Sequence, residues 1–230
     1  MLIVIGGIKG GSGKTTLATN LAICRAHFGK NVLLLDADEQ KSSLDWDEQR
    51  KVHLSNLLVE QCVGKNVHKR LEQEIEDEWF DDIIVDTGGR DTTSQRSALV
   101  LCDVFLAPFR PRSMDVWTLP ALNKMSKEIR EVNPDFTLLA VLNQCPPRSA
   151  DTKDARTFIR DEGIECLDIE IGYRKAFSDA AAAGLGVIEY DLADEKSVTE
   201  ILNLHDSVYK ANMIQTYNNS GKDIWHSVAK

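Results

Sequence analysis

The sequence lacks any apolar run approaching the roughly 20 residues that a membrane-spanning helix needs. Met1 leads directly into a short apolar segment, not into the basic and apolar regions of a signal peptide. Paired cysteines are also lacking, because the five cysteines are odd in number, scattered, and form no Cys-x-x-Cys pattern or Cys/His cluster. These absences argue against a membrane protein, a disulfide scaffold and a zinc site. They predict a cytoplasmic protein with reduced thiols.

An excess of positive charge is lacking as well. Lysine and arginine number 27 against 36 aspartates and glutamates, which gives a net charge of −9. This balance argues against a surface coated with nucleic-acid-binding charge. A local basic patch remains compatible with it, because salt screens charges beyond about 8–10 Å.

What the sequence does have is an alternation of apolar runs and helical patterns along 230 residues, of which 43% are hydrophobic. Near-continuous apolar strands separated by helices predict an α/β fold: a mostly parallel twisted sheet with helices on both faces. We expect one domain over residues 1–210 and a C-terminal tail, 211–230, that is a short helix or disordered. The predicted strands, the last of them weaker, are Leu2–Ile5, Val32–Leu35, Leu57–Glu60, Ile83–Val85, Val104–Ala107, Thr137–Leu142 and Glu165–Ile169.

The most informative segment follows the first strand and reads Lys9-Gly10-Gly11-Ser12-Gly13-Lys14-Thr15-Thr16. It opens an amphipathic stretch, Leu17 to Phe28, that predicts a helix. Glycines let backbone N–H groups converge on phosphate oxygens, and a helix N-terminus adds unsatisfied donors and partial positive charge. Lys14 can reach the β- and γ-phosphates, and the Thr15 hydroxyl can bind Mg²⁺. The order of these features predicts a nucleotide-binding P-loop.

A dinucleotide-binding turn is the main alternative for a glycine-rich strand-to-helix junction. Gly11 and Gly13 supply two of the three glycines that it needs, and Asp36 lies at a suitable distance for a ribose. The third glycine position is occupied by Thr16, however, and the Lys14-Thr15 pair has no role against a pyrophosphate in that fold. The sequence therefore favours the P-loop.

Aspartates follow two further strands. Asp36 and Asp38 leave the second strand, and Asp86 ends the fourth, just before Gly88-Gly89. The carboxyl ends of parallel strands form the crevice in which such sheets bind ligands. A Mg²⁺ ion often meets such a carboxylate through water. A capping and turn pair is the alternative interpretation of Asp36 and Asp38.

The P-loop departs from the usual G-x-x-x-x-G-K-[ST] pattern, since Ile8 replaces its first glycine and a second lysine, Lys9, lies inside the loop. This K-G-G-x-G-K-[ST] form resembles the deviant Walker A motif of the ParA/MinD family of ATPases. The resemblance implies a P-loop NTPase fold over about residues 1–210, with ATP and Mg²⁺ as ligands. It also implies a homodimer formed with ATP, in which Lys9 reaches the partner's nucleotide. A solvated loop lysine is the alternative for Lys9.

The same resemblance assigns roles residue by residue. It places residues 9–16 and Asp36 around the nucleotide, Thr15 and Asp86 at the metal, and Lys9, Lys14 and Asp38 in catalysis. Asp38 matches the residue that orients or activates the attacking water, although Glu39 stands where many members have proline. Asn143 matches the residue that reads the adenine edge; an N-terminal cap for a helix over Ser149–Arg160 is the alternative.

Two more segments match less specifically. Arg110–Asp115 resembles the family's loop leading into an interface helix, with an ordinary turn as the alternative. Ile171–Phe177 resembles the segment that flanks the base. Four nearby cations could form a DNA-facing patch, or else belong to a mixed-charge surface: they are Arg156, Arg160, Arg174 and Lys175.

Within the family, the chain resembles small plasmid-partition ParA proteins, since the sequence starts at the first strand and we expect no N-terminal DNA-binding domain. A MinD-like protein would end in a basic amphipathic membrane helix, and the tail shows little of that pattern. Cys102 alone does not support a nitrogenase-reductase-like protein with an iron–sulfur cluster. We expect nonspecific DNA, a small adaptor of ribbon-helix-helix type and no membrane as partners. A cargo-positioning or regulatory ATPase that acts on a protein complex is the alternative.

Overall fold

A computed structural model describes residues 1–111 and 117–209 of the chain. All seven predicted strands are present, and most extend one to three residues beyond the predicted bounds. The expectation for the tail falls outside the described residues. The strands are β1 (Leu2–Ile5), β2 (Val32–Asp36), β3 (Leu57–Gln61), β4 (Asp82–Asp86), β5 (Val104–Phe109), β6 (Thr137–Cys145) and β7 (Glu165–Gly172).

Eight helices lie within the described part of the chain. The helix predicted after Ser149 is confirmed, with Ser149 as its N-cap: the Ser149 hydroxyl accepts a hydrogen bond from Asp151 N–H at 3.2 Å. The helices are α1 (Lys14–His27), α2 (Ser42–Glu48), α3 (Asn66–Asp77), α4 (Thr93–Leu99), α5 (Leu119–Arg130), α6 (Ala150–Asp161), α7 (Lys175–Ala182) and α8 (Glu195–Tyr209).

The seven strands form one parallel sheet in the order β3-β2-β4-β1-β5-β6-β7. This confirms the predicted α/β class. Strands β2, β4 and β1 are neighbours in this order and run parallel. The loops that leave their carboxyl ends therefore meet at the same edge of the sheet. The register places Asp36 directly beside Asp86 on neighbouring strands.

Each face of the sheet carries its own hydrophobic core. Alternate residues of β1 enter opposite cores, with Leu2 and Val4 on one side and Ile3 and Ile5 on the other. Helices α3, α4, α5 and α6 cover the first face, and α1, α2, α7 and α8 cover the second. This two-sided cover explains why the strands are apolar at nearly every position.

The helix after the P-loop differs from its predicted amphipathic character. Ten of the fourteen residues in α1 are buried, including the polar Thr19 and Asn20. The reason is that α1 lies between α2 and α8 on the same face of the sheet and contacts both of them. A helix covered on several sides exposes little surface to solvent, so its sequence does not require a polar stripe.

The cysteines are all unpaired, and four of the five are buried. Burial raises the pKa of the Cys102 and Cys145 thiols to about 12 in each case. No helix in the described ranges is long and apolar enough to cross a lipid bilayer.

Candidate functional site at the carboxyl edge of the sheet

Two glycines in the loop between β1 and α1 adopt a backbone conformation that other residues rarely adopt. Gly11 and Gly13 have φ angles of 77° and 85°, in the left-handed region that favours glycine. A Cβ atom on Gly13 would lie 2.3 Å from Asn143 Nδ2. Gly13 is also the N-cap of α1, which has no side-chain cap and no acidic residue in its first turn. The first N–H groups of α1 are therefore left for an anion.

Lys14 is folded into this loop. Its Nζ donates to the backbone carbonyl of Lys9 at 3.1 Å, and its side chain is buried. Burial lowers the pKa of Lys14, while the charges of Asp86 and Asp38 act in the opposite direction. A lysine desolvated beside carboxylates is positioned for phosphate, whose charge would favour the protonated amine.

Lys9 lies half-buried in the loop. Its backbone packs closely against the segment that follows β4: a Cβ on Gly89 would lie 2.4 Å from Gly10 Cα and 3.1 Å from the Lys9 carbonyl carbon. The glycine at position 89 thus lets two ligand-facing loops touch.

The two strand-ending carboxylates meet as predicted, and one serine joins them. Asp36 is fully buried and accepts N–H hydrogen bonds from Asp38 at 3.1 Å, Ser43 at 2.8 Å and Leu44 at 3.0 Å. The Ser43 hydroxyl then donates to Asp86 Oδ2 at 2.7 Å. Sequence analysis missed Ser43, because no motif distinguishes it from its neighbour Ser42.

These contacts give the two carboxylates different electrostatic environments. Burial raises the pKa of Asp36, and the three backbone N–H groups act against that rise. Burial raises the pKa of Asp86 to about 7, despite the hydroxyls of Thr15 and Ser43. Asp86 Oδ1 is buried without a hydrogen-bond partner among the described residues. An orphaned carboxylate oxygen beside the Thr15 hydroxyl fits a hard cation such as Mg²⁺.

Asp38 lies at the same edge, half-buried, with its side chain against the Gly88 backbone. A Cβ on Gly88 would lie 3.3 Å from the Asp38 carboxylate. Asp38 Oδ1 accepts from the Gln40 N–H at 3.1 Å, so it also forms the turn contact that the alternative interpretation expected. The same side chain can therefore shape the turn and face the ligand loops.

Asn143 lies against the phosphate loop. Its Nδ2 donates to the Ser12 carbonyl at 2.7 Å, and its Oδ1 accepts from the Gln144 N–H at 2.9 Å. Gln144 Nε2 also reaches the Gly11 carbonyl, at 3.2 Å. Both polar ends of the buried Asn143 amide are occupied, so here it braces the phosphate loop. The helix-cap alternative is wrong, since Ser149 caps α6.

A second buried amide, Gln95 of α4, was missed by sequence analysis. Its Oε1 accepts from the Gly7 N–H at 2.9 Å and from the Thr87 hydroxyl at 2.9 Å. It therefore joins the start of the phosphate loop to the segment after Asp86.

The four candidate DNA-binding cations all have partners within the chain. Arg156 donates to the carbonyl oxygens of Leu167 and Ile169 on β7 and to Glu170. Arg160 donates to the Cys166 carbonyl and to Asp168, each at 2.8 Å.

The other two cations are ion-paired as well. Arg174 pairs with Glu200 at 2.5 Å, and Lys175 with Asp179 at 2.6 Å. These contacts favour the mixed-charge surface over a DNA-facing patch.

The two less specific segments differ in what the structure describes. Of Arg110–Asp115, only Arg110 and Pro111 are described; the Arg110 guanidinium lies 3.7 Å from the Cβ position of Gly11. In Ile171–Phe177, Tyr173 is 78% exposed, and its N–H donates to the Cys145 carbonyl at 2.9 Å. Tyr173 is thereby held at the same edge of the sheet as the phosphate loop.

Comparison with known proteins agrees with this geometry. Residues 3–187 match the family described as the CobQ/CobB/MinD/ParA nucleotide binding domain. The chain is 27% identical over 210 residues to the maintenance of carboxysome distribution protein A of Halothiobacillus neapolitanus, covering 90% of this chain and 95% of that protein. It is 25% identical over 181 residues to protein ParA of Rhizobium radiobacter, covering 77% and 80%.

A solved structure shares the fold. The complex of Cyanothece McdA, an aspartate-to-alanine variant, with ATP superposes with a TM-score of 0.73. The match covers 92% of this chain and 96% of that one, at 16% sequence identity.

Proposed function

The chain belongs to the CobQ/CobB/MinD/ParA nucleotide-binding family, and from that premise we propose that it is a cytoplasmic ATPase that binds ATP with Mg²⁺ and hydrolyses it slowly. The observation that carries this proposal is the set of groups around the uncapped start of α1. It combines free helix N–H groups, the buried Lys14 ammonium and the orphaned oxygen of Asp86. The N–H groups and the ammonium would bind phosphate oxygens, and the Asp86 oxygen would bind the metal.

Hydrolysis would then depend on positioning more than on covalent chemistry. The loop N–H groups and Lys14 hold the phosphates and neutralise charge on them. Thr15 and Asp86 would hold Mg²⁺, which supplies further neutralisation when bound. Asp38 orients the attacking water from its place against Gly88. Ser43 fixes Asp36 and Asp86 relative to each other.

The second part of the proposal is a dimer formed with ATP, in which Lys9 contacts the partner's nucleotide. Its support is that one loop contains two lysines while Lys14 is already folded inward. Lys9→Ala should keep measurable ATP binding and lose the ATP-dependent dimer, as measured by sedimentation. Lys69→Ala, on the exposed side of α3, is the control. An intact ATP-dependent dimer in Lys9→Ala would exclude this role for Lys9.

For the biological role, we propose a ParA-type positioning ATPase. The first candidate is partition of plasmid or chromosomal DNA, with nonspecific DNA binding by the dimer and hydrolysis triggered by a small adaptor of ribbon-helix-helix type. The second candidate is positioning of a protein cargo. The ion pairs of the four candidate cations support the second, as does the similarity to a relative named for carboxysome distribution.

A titration of nonspecific duplex DNA separates the two candidates. It is run with ATP, with ADP and with Lys9→Ala, at several salt concentrations. Partition predicts binding by the ATP dimer alone, with a steep salt dependence, since each neutralised phosphate adds about −0.9 to the logarithmic slope. Failure of the ATP-bound protein to bind even at low salt would favour a protein cargo.

A further inference from the structure

The start of α4 carries a capping sequence that the structure uses in only one direction. Thr92-x-x-Gln95 has the spacing of a capping box, in which both side chains bond to each other's backbone N–H. The Thr92 hydroxyl accepts from the Gln95 N–H at 3.1 Å, as expected. The Gln95 side chain turns inward instead and is fully buried.

That buried amide contacts three separate parts of the fold. Its Oε1 accepts from the Gly7 N–H of the phosphate loop and from the Thr87 hydroxyl after β4, both at 2.9 Å. Its Nε2 lies 3.5 Å from Met125 Sδ on α5. The Gly7 N–H can only donate, so it fixes which end of the amide faces the loop. Space is tight here, because a Cβ on Gly6 would lie 2.6 Å from Oε1.

Thr87 has a choice of acceptors at this point. Its hydroxyl has one hydrogen but two acceptors within range: Gln95 Oε1 at 2.9 Å and the Ile5 carbonyl of β1 at 3.1 Å. The backbone N–H of Thr87 also donates to that Ile5 carbonyl. Two hydrogen-bond arrangements are therefore open to a residue that directly follows the candidate metal ligand Asp86.

We propose that Gln95 is a positioning residue that transmits the state of the nucleotide site to α5. A shift of the Asp86–Gly89 segment on binding Mg²⁺ and nucleotide changes which acceptor the Thr87 hydroxyl uses. The Gln95 amide then either keeps its bond to the Thr87 hydroxyl and shifts with it, or loses that bond and stays on the Gly7 N–H. The contact to Met125 is a weak one, since thioether sulfur is a poor acceptor, so the Gln95 amide can leave Met125 at low cost while α5 stays packed on the sheet. This inference rests on the proposed nucleotide-binding function.

The test measures hydrogen exchange of the Leu119–Arg130 amides in the full chain, with Mg²⁺ and either ADP or a non-hydrolysable ATP analogue. The wild type should show protection of α5 that differs between the two nucleotides. Gln95→Leu, of similar size, should lose that difference and keep nucleotide affinity within about fivefold, the equivalent of one neutral hydrogen bond. Met125→Leu should also lose the difference, at unchanged affinity.

Thr92→Ala is the matched control, because it removes the cap of α4 without touching the loop. It should lower the melting temperature and keep the α5 difference. If Gln95 acted only by stabilising α4, Thr92→Ala would lose that difference as well. Thr87→Val, which removes only the hydroxyl, gives the same test if Gln95→Leu fails to fold. An α5 difference that survives in Gln95→Leu or Thr87→Val would overturn the proposal.

Failure of the coupling can be told apart from failure of the proposed function. Wild-type protein that binds the ATP analogue but shows no α5 difference overturns only the coupling. Protein that binds no nucleotide in a separate titration overturns both.

Discussion

The two ends of strand β4 show how the same residue type can serve two purposes. Asp82 begins the strand and Asp86 ends it, and both are buried. Asp82 accepts from Arg25 at 2.7 Å and lies 3.8 Å from the N-terminal ammonium of Met1. Asp86 has one serine hydroxyl on Oδ2 and no hydrogen-bond partner for Oδ1 among the described residues.

The two ends differ in how fully the chain itself supplies partners for the buried carboxylate. At the amino end, a buried charge is neutralised by another charge in the same chain, which is what a stable fold requires. At the carboxyl end, hydroxyls and backbone N–H groups bind Asp36 and Asp86, and Lys14 acts on Asp86 through its charge without a hydrogen bond. One Asp86 oxygen has no hydrogen-bond partner among the described residues. An unpartnered carboxylate oxygen next to the phosphate loop fits a ligand. The sequence separates Asp86 from Asp82 only through the Gly88-Gly89 that follows it and through the family resemblance, since both residues appear as an Asp beside an apolar run.

The largest effect should come from Asp38→Ala at the incomplete end. Removing a group that orients or deprotonates the attacking water should reduce ATP turnover by about 10²–10⁴-fold. Binding of Mg²⁺-ATP and the dimer should remain, because Asp38 is not needed to hold phosphate. Phosphate release and sedimentation measure the two properties. Turnover at the wild-type rate would transfer the role to another group, with Asp36 as the next candidate.

Lys14→Ala should act on binding itself. It removes charge-assisted hydrogen bonds to phosphate of about 1.5–3 kcal/mol each, so nucleotide affinity should fall by about 100-fold or more. Isothermal titration calorimetry measures this, with the melting temperature as a check on folding. A Lys14→Ala protein that binds ATP normally would show that the buried ammonium is structural, like Arg25 at the opposite edge.

Asp82→Ala should have the opposite effect to Lys14→Ala, because it should lower stability and leave nucleotide binding nearly unchanged. It removes the ion-pair partner of the half-buried Arg25 guanidinium, which keeps its contacts with His205 and Tyr209, so the free energy of unfolding should fall by up to about 3 kcal/mol. Nucleotide affinity should change little, because Asp82 lies roughly 13 Å along the strand from Asp86. Urea denaturation and calorimetry measure the two effects.

Asp86→Asn is the matched variant at the other end. It should leave the stability of the ligand-free protein unchanged or raised, because burial opposes the ionised carboxylate. Its cost should appear in the Mg²⁺ dependence of ATP binding. If both variants destabilised the fold equally, the contrast between the two ends of β4 would be wrong.

A smaller effect is expected at a second complete cluster, where Glu189 binds Arg50 at 2.9 Å and His27 at 3.0 Å. Burial opposes ionisation, but hydrogen bonds from His27 and Arg50 lower the pKa of Glu189 to about 2. Since this pKa is below that of the unfolded chain, the stabilisation is present above about pH 4.3 and is lost as the pH falls toward 2.

Glu189→Gln should therefore destabilise the protein by about 2–3 kcal/mol at pH 7. The difference from the wild type should shrink steadily between pH 5 and pH 2 in urea denaturation. A difference that does not change with pH would mean that Glu189 acts through packing and not through its charge.

The sequence predicted most of the fold because its strands are apolar and its helices have clear starts. Val104–Phe109 is buried throughout, and the helix expected over Ser149–Arg160 is present as Ala150–Asp161. The site was predicted where a motif carries its own geometry, as at Lys14 and the strand-ending Asp36 and Asp86.

The rest depends on contacts between distant segments. Ser43 and Gln95 are ordinary residues until the fold brings them to Asp86 and Gly7. The contact of Asn143 with the phosphate loop was not predicted, because its motif says nothing about which neighbour its amide meets, and its role toward the base stays a prediction. The polar face expected of α1 was wrong because α2 and α8 both contact this helix.

The arginines of α6 have a consequence for how copies of this chain can associate. β7 is the last strand of the sheet, and a bare edge strand is a template onto which another protein can add a strand and aggregate. Arg156 and Arg160 occupy carbonyl oxygens of Cys166, Leu167 and Ile169 along that strand. An incoming strand would have to displace both guanidinium groups before its own N–H groups could pair. Copies of the chain can thus reach high local concentrations without their sheets fusing along this side.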